Sequence, residues 1–288
     1  MKYVVTSDEA GSRIDKIIKK LCKNASYAFL QKQFRIGAIK VNGKKVKADF
    51  KVSEGNEIFS RLEESSVSKY QENQKLYEQL KNMIIFENDD FFAINKPAGL
   101  AVQLGSKVNF CVETLINFYS GKCRLVHRLD KDTSGVLLIA KNLKVAQQLT
   151  KWFSDGVISK TYLAIVDGKI KKSGVIENFI GKSFIGGVEK MTVVEENKGG
   201  KAISLYNPIR RVGYYTLVEL FPKTGRKHQL RVHCKENLRA PILGDSRYND
   251  NSQHNHLFLH AQKIRIPKWN IEIEAPLPEY FHEFDEVN

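Results

Sequence analysis

The chain is short of the residues that staple or stiffen small folds, with four cysteines and seven prolines among 288 residues. Cys22, Cys111, Cys123 and Cys234 stand far apart with no CxxC pair. That spacing argues against a disulfide framework and leaves reduced core thiols as the expectation. Cys123 near His127, and Cys234 beside His233, do not match the spacing of a zinc knuckle. No stretch approaches the roughly eighteen consecutive apolar residues of a spanning helix. No N-terminal segment joins a basic head to an apolar core of signal-peptide length, so a soluble cytoplasmic protein is expected. A nucleotide-binding glycine loop is missing as well, because Gly199-Gly200-Lys201 lacks the four-residue gap of a P-loop and reads as a hairpin. Carboxylates are the minority charge: 32 Asp and Glu face 46 Lys and Arg, a formal net charge of +14. An excess of that size favours a polyanionic partner, with RNA, DNA and an anionic membrane surface as the candidates.

What is present is concentrated in one stretch. Leu125-Val-His-Arg-Leu-Asp-Lys-Asp-Thr-Ser-Gly135 runs directly into Val136-Leu-Leu-Ile-Ala140. The aliphatic run reads as a buried strand and Ser134-Gly135 as the turn before it. The charged cluster therefore belongs in a loop at a strand entrance.

Hydrophobic residues make up 42% of the chain, enough for one large domain with a small companion. Residues 1 to 60 read as the companion. Ser12-Arg-Ile-Asp15 has the form of a capping box before apolar positions at helical spacing, and a second helix is expected from about Ser26 to Gly37. Asn42-Gly43 between Ala38–Val41 and Lys44–Val46 is a strong hairpin signal. This segment holds thirteen basic residues against six acidic ones, half of the chain's excess. Residues 61 to 82 turn polar with no clear apolar period and read as an interdomain linker.

From residue 83 onward the pattern changes. Two short strands around an acidic turn are expected between Ile84 and Lys96, then a helix over Val112–Tyr119. Asn142 is placed to cap a helix carrying Val145, Leu149, Trp152 and Phe153 on one face. Lys160–Val166 and Tyr214–Phe221 read as strands, and residues 169 to 212 as short strands alternating with glycine turns. Many short strands with few helices predict an α+β fold, a mixed and largely antiparallel sheet carrying helices on its faces.

His127-Arg-Leu-Asp130, followed by Thr133-Ser-Gly135 and the aliphatic strand, resembles the signature of the RluA-type pseudouridine synthases, which isomerise uridine in RNA. Asn95-Lys96-Pro97, Lys223-Thr-Gly-Arg-Lys-His-Gln-Leu-Arg231, Pro241-Ile-Leu-Gly-Asp245 and Leu257–Ala261 match further family segments in order. Residues 1 to 60 resemble an S4-type RNA-binding domain of α+β form, with Asn56 where that family usually has Asp. The resemblance implies domains at 1–60, with a linker at 61–82, and at 83–288, the last being the pseudouridine synthase catalytic domain. Asp130 matches the family's nucleophile, Arg231 the arginine that pairs with it, and Tyr162 the tyrosine that stacks on the uracil. Arg128 matches the residue that fills the gap left by the extruded nucleotide, and Leu129 and Leu230 complete the substrate-binding set. Arg13, Lys16, Lys32, Lys40, Lys44 and Lys45 are the candidates for phosphate contacts in the small domain.

The reaction so implied is an isomerisation without redox step or activated donor, so no cofactor and no metal are expected. Within the family, Thr6–Asp15 and the Gln103-Leu-Gly-Ser106 loop most resemble the branch that modifies 23S rRNA, with a related synthase acting on other 23S rRNA or transfer RNA uridines as the alternative. The implied partner is then 23S rRNA, free or within an assembling large subunit, with no membrane and a monomeric protein. Two other readings compete. His127-Arg-Leu-Asp130 superficially resembles a kinase catalytic loop, yet Leu129 interrupts its order and no downstream Asn stands at kinase spacing. A non-catalytic RNA-binding protein would be expected to lose Asp130 or Arg231 first, and both are present.

Overall fold

The computed structural model describes residues 2–22, 27–60, 68–104, 110–185, 187–249 and 254–284. The chain divides into two compact units, one made of residues 1–82, 103–109 and 113–122, the other of residues 83–102, 110–112 and 123–288.

The first unit holds a four-stranded sheet in the order β1-β4-β2-β3, made of β1 (Lys2–Val4), β2 (Ile39–Val41), β3 (Lys44–Lys45) and β4 (Glu57–Ser60). Two helices, α1 (Ile14–Leu21) and α2 (Tyr27–Ile36), cover it. Ile14, Ile17 and Ile18 of α1 pack with Leu30 and Phe34 of α2 and with Ile39, Val41 and Ile58 of the sheet. The β2–β3 hairpin turns at Asn42-Gly43, where φ is +47° and +78°, the positive pair a two-residue hairpin requires. The capping box expected at Ser12 does not form. Arg13 occupies the N-cap position instead, and the Asp15 carboxylate accepts from the Arg13 guanidinium at 2.7 and 3.2 Å and from the Tyr27 hydroxyl at 3.1 Å. The Ser12 N–H, which a capping box would give to this acid, donates instead to the Glu9 carbonyl at 3.1 Å. Ser26, the expected start of α2, and Arg61–Val67 lie outside the described residues.

The stretch read as a linker contains a helix, α3 (Ser68–Met83). Its sequence is dominated by Lys, Gln, Glu and Leu, which are intrinsic helix formers. Leu76, Leu80 and Met83 fall at i, i+4 and i+7, and Leu80 is fully buried. So sparse an apolar stripe hides among polar residues.

The second unit is built on an eleven-stranded sheet. It comprises β5 (Ile84–Glu87), β6 (Phe91–Lys96), β7 (Arg124–Leu125), β8 (Ser134–Ala140), β9 (Ser159–Val166), β10 (Gly174–Ile185), β11 (Val188–Val194), β12 (Gly200–Val212), β13 (Tyr215–Pro222), β14 (Leu259–Ile266) and β15 (Ile271–Glu274). The main path runs β11-β10-β12-β13-β9-β14-β8-β6-β5, with β15 on β14 and β7 on β8. Only the β14–β8 pairing is parallel among these described strands, so the sheet is mixed and mostly antiparallel, as the sequence predicts. Residues 169–212 depart from expectation: β10 and β12 are single strands of 12 and 13 residues. Gly187 and Gly199 lie outside the strands, whereas Gly181 lies inside the β10–β11 ladder, opposite Thr192. It tolerates no side chain because a Cβ would strike the Lys198 carbonyl.

The remaining helices are α4 (Val112–Tyr119), α5 (Leu143–Ser154) and α6 (Gln229–Val232), the last continuing into a π-helical turn over His233–Asn237. Asn142 caps α5, its side-chain oxygen accepting from the Val145 N–H at 2.9 Å. Val145, Ala146 and Leu149 of α5 meet Val136, Leu138 and Ala140 of β8 in one core. Ala164, Val166, Val218, Leu220 and Leu230 join a second core with Phe258 and Phe281. Strand β8, buried along its whole length, fixes the height at which the preceding loop emerges.

Candidate active site

The loop between β7 and β8 carries the charged cluster, and three features set its shape. Gly135 opens β8 at φ +110° with the Ala261 backbone against it. A Cβ there would collide with the Ala261 carbonyl, so only glycine lets β8 approach β14 this closely. The His127 ring turns back and its Nε2 accepts from the Leu138 N–H at 2.9 Å, beyond the end of the two-residue strand β7. Burial first, and then the charge of Lys160, pull the His127 pKa down to about 3. The ring is therefore neutral and suited to accept. Beneath the loop, the fully buried Lys96 ammonium donates to the carbonyls of Pro97, Leu100 and Lys131 at 2.8 to 2.9 Å. Burial lowers the Lys96 pKa to about 7 against the opposing charges of Asp132 and Asp130.

So positioned, Asp130 lines a cavity of about 630 Å³ together with Arg128, Leu129, Tyr162, Leu230 and Arg231. Lys160 and Tyr162 enter from β9, and the turn after β13 and helix α6 form the opposite wall. Gln229 fixes that wall. Its amide nitrogen donates to Ile203 O and reaches Ser204 Oγ, both at 2.9 Å, and its oxygen accepts from the Thr224 hydroxyl and the Arg226 N–H.

Arg231 is buried and reaches Asp130 Oδ2 through Nη1 at 3.4 Å. Its stronger partner is Asp245, which accepts from Nε at 2.8 Å and from Nη2 at 2.7 Å in a bidentate pair. Asp245 Oδ1 also accepts from the backbone N–H groups of Arg247 and Tyr248, each at 3.1 Å. Burial alone would lower the arginine's pKa, but the Asp245 hydrogen bonds and the charges of Asp245 and Asp130 raise it. The guanidinium stays charged, clamped on one edge and open to Asp130 on the other. For Tyr162, burial first and the Asp130 charge second push the phenol pKa well up. That ring is a protonated flat wall at neutral pH.

These observations leave a pocket with one carboxylate, an oriented guanidinium and an aromatic wall. Residues 90–236 match the RNA pseudouridylate synthase family. Ribosomal large subunit pseudouridine synthase C of Rickettsia bellii is 36% identical over 97% of this chain and 99% of its own. The chain belongs to the RNA pseudouridylate synthase family. The protein of that same description from Escherichia coli K12 is 32% identical over 96% of this chain and 92% of its own. Among solved structures, human RNA Pseudouridylate Synthase Domain Containing 4 superposes with a TM-score of 0.62 at 27% identity, covering 74% of this chain and 95% of that one.

Within this pseudouridylate synthase chain, Asp130, Arg128, Leu129, Tyr162, Leu230 and Arg231 surround the one cavity. The six candidates in the first unit do not gather in the same way. Arg13 and Lys45 line a groove of about 780 Å³, where they are joined by Arg35, Lys47 and Tyr27. Lys16, Lys32, Lys40 and Lys44 are not part of its walls. Asp245 and Lys96 appeared in the sequence only as members of matching segments, with no role. Their roles depend on partners 14 and 35 residues away, which no local pattern encodes. Among the described residues no group of three His, Cys, Asp or Glu side chains could hold a metal ion. No described helix is long and apolar enough to cross a membrane.

Proposed function

We propose that the protein converts uridine to pseudouridine in the RNA of the large ribosomal subunit, with Asp130 as the carboxylate that acts on the sugar. The observation that carries this reading is the pairing of Asp130 with a guanidinium whose far edge Asp245 holds, in the lining of a cavity of about 630 Å³. That volume lies in the range that encloses a nucleotide-sized ligand. The names of the relatives, at 32 to 37% identity over nearly the whole chain, support the choice of RNA.

The chemistry follows from the bond concerned. Breaking N1–C1′ leaves positive character on the ribose, which a carboxylate stabilises or traps as a glycosyl ester. The bonding electrons depart with uracil, the base turns within the pocket, and C5 takes the place of N1 on C1′. The C5 proton is released and N1 gains one, so atoms balance without a co-reactant. Tyr162 offers the base a flat surface, and Leu129 and Leu230 supply apolar walls. Arg128, exposed at the rim, is placed to contact the phosphates or occupy the gap in the stack. Extrusion of the nucleotide costs a few kcal/mol, which phosphate contacts offset. The basic groove of the first unit, read as an S4-type RNA-binding surface, supplies such contacts through Arg13, Arg35, Lys45 and Lys47.

The test is to incubate purified protein with unmodified 23S, 16S and transfer RNA transcripts and map carbodiimide-dependent reverse-transcription stops. New stops confined to a few 23S uridines are expected. Stops appearing only in transfer RNA would remove the substrate assignment, and none in any RNA would remove the activity.

A further inference from the structure

His228 stands in a conformation that few residues tolerate. Its φ of +54° lies in the left-handed region, which a non-glycine side chain occupies when its surroundings hold it there. The ring lines the cavity and is 8% exposed. Nδ1 lies 2.9 Å from the Tyr248 hydroxyl, and Nε2 lies 3.9 Å from Asp130 Oδ2. Tyr248 is itself fixed, since its N–H donates to Asp245 and its ring centre lies 5.1 Å from the Arg231 guanidinium carbon. Burial pulls the His228 pKa down to about 4 despite the opposing charge of Asp130, with Arg231, Lys227 and Arg247 adding to the lowering. The imidazole is therefore neutral at pH 7. A carboxylate accepts only, so the Nε2 that faces Asp130 carries the single ring proton and Nδ1 accepts from the Tyr248 hydroxyl.

Both contacts to Asp130 converge on one oxygen. Arg231 Nη1 and His228 Nε2 each approach Oδ2, and among the described residues no hydrogen bond reaches Oδ1. We infer that His228 is a positioning residue which, together with Arg231, holds Oδ2 of Asp130 and so presents Oδ1 to the ribose of the bound nucleotide. The inference rests on the reading of Asp130 given above. The 3.9 Å separation is longer than a hydrogen bond, and the inference places the hydrogen bond itself in the substrate complex, where catalytic contacts commonly tighten.

Steady-state kinetics of four variants test this. His228→Leu removes both nitrogens, His228→Gln retains a side-chain N–H donor of similar reach, and Tyr248→Phe removes only the hydroxyl that sets the tautomer. Asp130→Asn is the reference for the underlying reading. His228→Leu is expected to lower kcat about tenfold to a hundredfold with KM changed less than about threefold. His228→Gln should restore most of that loss, and Tyr248→Phe should lower kcat about threefold to tenfold. Wild-type kcat in His228→Leu overturns the inference. So does a His228→Gln variant as impaired as His228→Leu, with kcat and thermal midpoint falling together, because that marks a residue supporting only the fold. If Asp130→Asn turns over normally, the reading of Asp130 fails and the inference with it. If Asp130→Asn is inactive while His228→Leu is not, the inference alone fails.

Discussion

Arg231 is held by Asp245 more firmly than it holds Asp130, with two contacts under 2.9 Å against one at 3.4 Å. That asymmetry is physically sensible. A guanidinium anchored by a buried acid keeps its direction while the second acid changes charge during a reaction. Asp245→Ala should therefore destabilise the protein by about 3–5 kcal/mol, the cost of an uncompensated buried charge. Urea denaturation checks this, and a loss below about 1 kcal/mol would mean that the arginine finds another partner or solvent. At this scale the sequence was informative about identity and named one partnership, that of Arg231 with Asp130, through the resemblance alone. Asp130 and Arg231 stand in contiguous strings whose order is recognisable, whereas Asp245, His228 and Lys96 act through contacts across the fold. The resemblance implied the pairing of Arg231 with Asp130 but assigned no role to Asp245, whose tighter grip shows only in the folded chain.

Strand β8 is the element through which the site is built, and two neutral histidines hold it. His127 accepts from its Leu138 N–H at 2.9 Å. On the other side, His260 Nδ1 meets the Ser134 hydroxyl at 2.8 Å while Nε2 faces the Ala275 carbonyl at 3.4 Å. A carbonyl accepts only, so Nε2 carries the proton and Nδ1 accepts from Ser134. Burial lowers the pKa of His127 to about 3, and of His233 and His260 to about 4. Each folded value lies below the unfolded one, so below about pH 6.5 the unfolded chain binds protons that the native state refuses. The histidine contribution to stability is full above about pH 6.5 and should fall by about 1.4 kcal/mol per pH unit per histidine as pH drops towards 4. Thermal midpoints measured from pH 8 to pH 4.5 check this, and a flat profile would contradict it. The sequence displayed β8, the Asn42-Gly43 hairpin and the Asn142 cap through strong local signals. Helix α3 was hidden because a sparse apolar stripe imitates a linker, and residues 169–212 showed short strands where β10 and β12 run on for 12 and 13 residues.

For the whole chain, the charge of +14 indicated a polyanion without naming it. The groove of the first unit holds part of that charge: Arg13, Arg35, Lys45 and Lys47 line it beside Tyr27 and Asp49. Sequence proximity had suggested Lys16, Lys32, Lys40 and Lys44 equally well, because a helix or hairpin face is fixed only when the elements fold together. The mixed, mostly antiparallel sheet was legible from the count and alternation of strands. Its parallel β14–β8 pair was not, and this is the pair that seats Gly135 beside the site.

The central claim is that Asp130 performs the chemistry without being needed for RNA capture. Single-turnover pseudouridine formation, measured beside RNA affinity for the wild type and Asp130→Asn, tests it most directly. The account expects the rate to fall by at least about a thousandfold while Kd changes less than about threefold. Turnover near the wild-type rate, or a loss of affinity in step with the loss of rate, would contradict it.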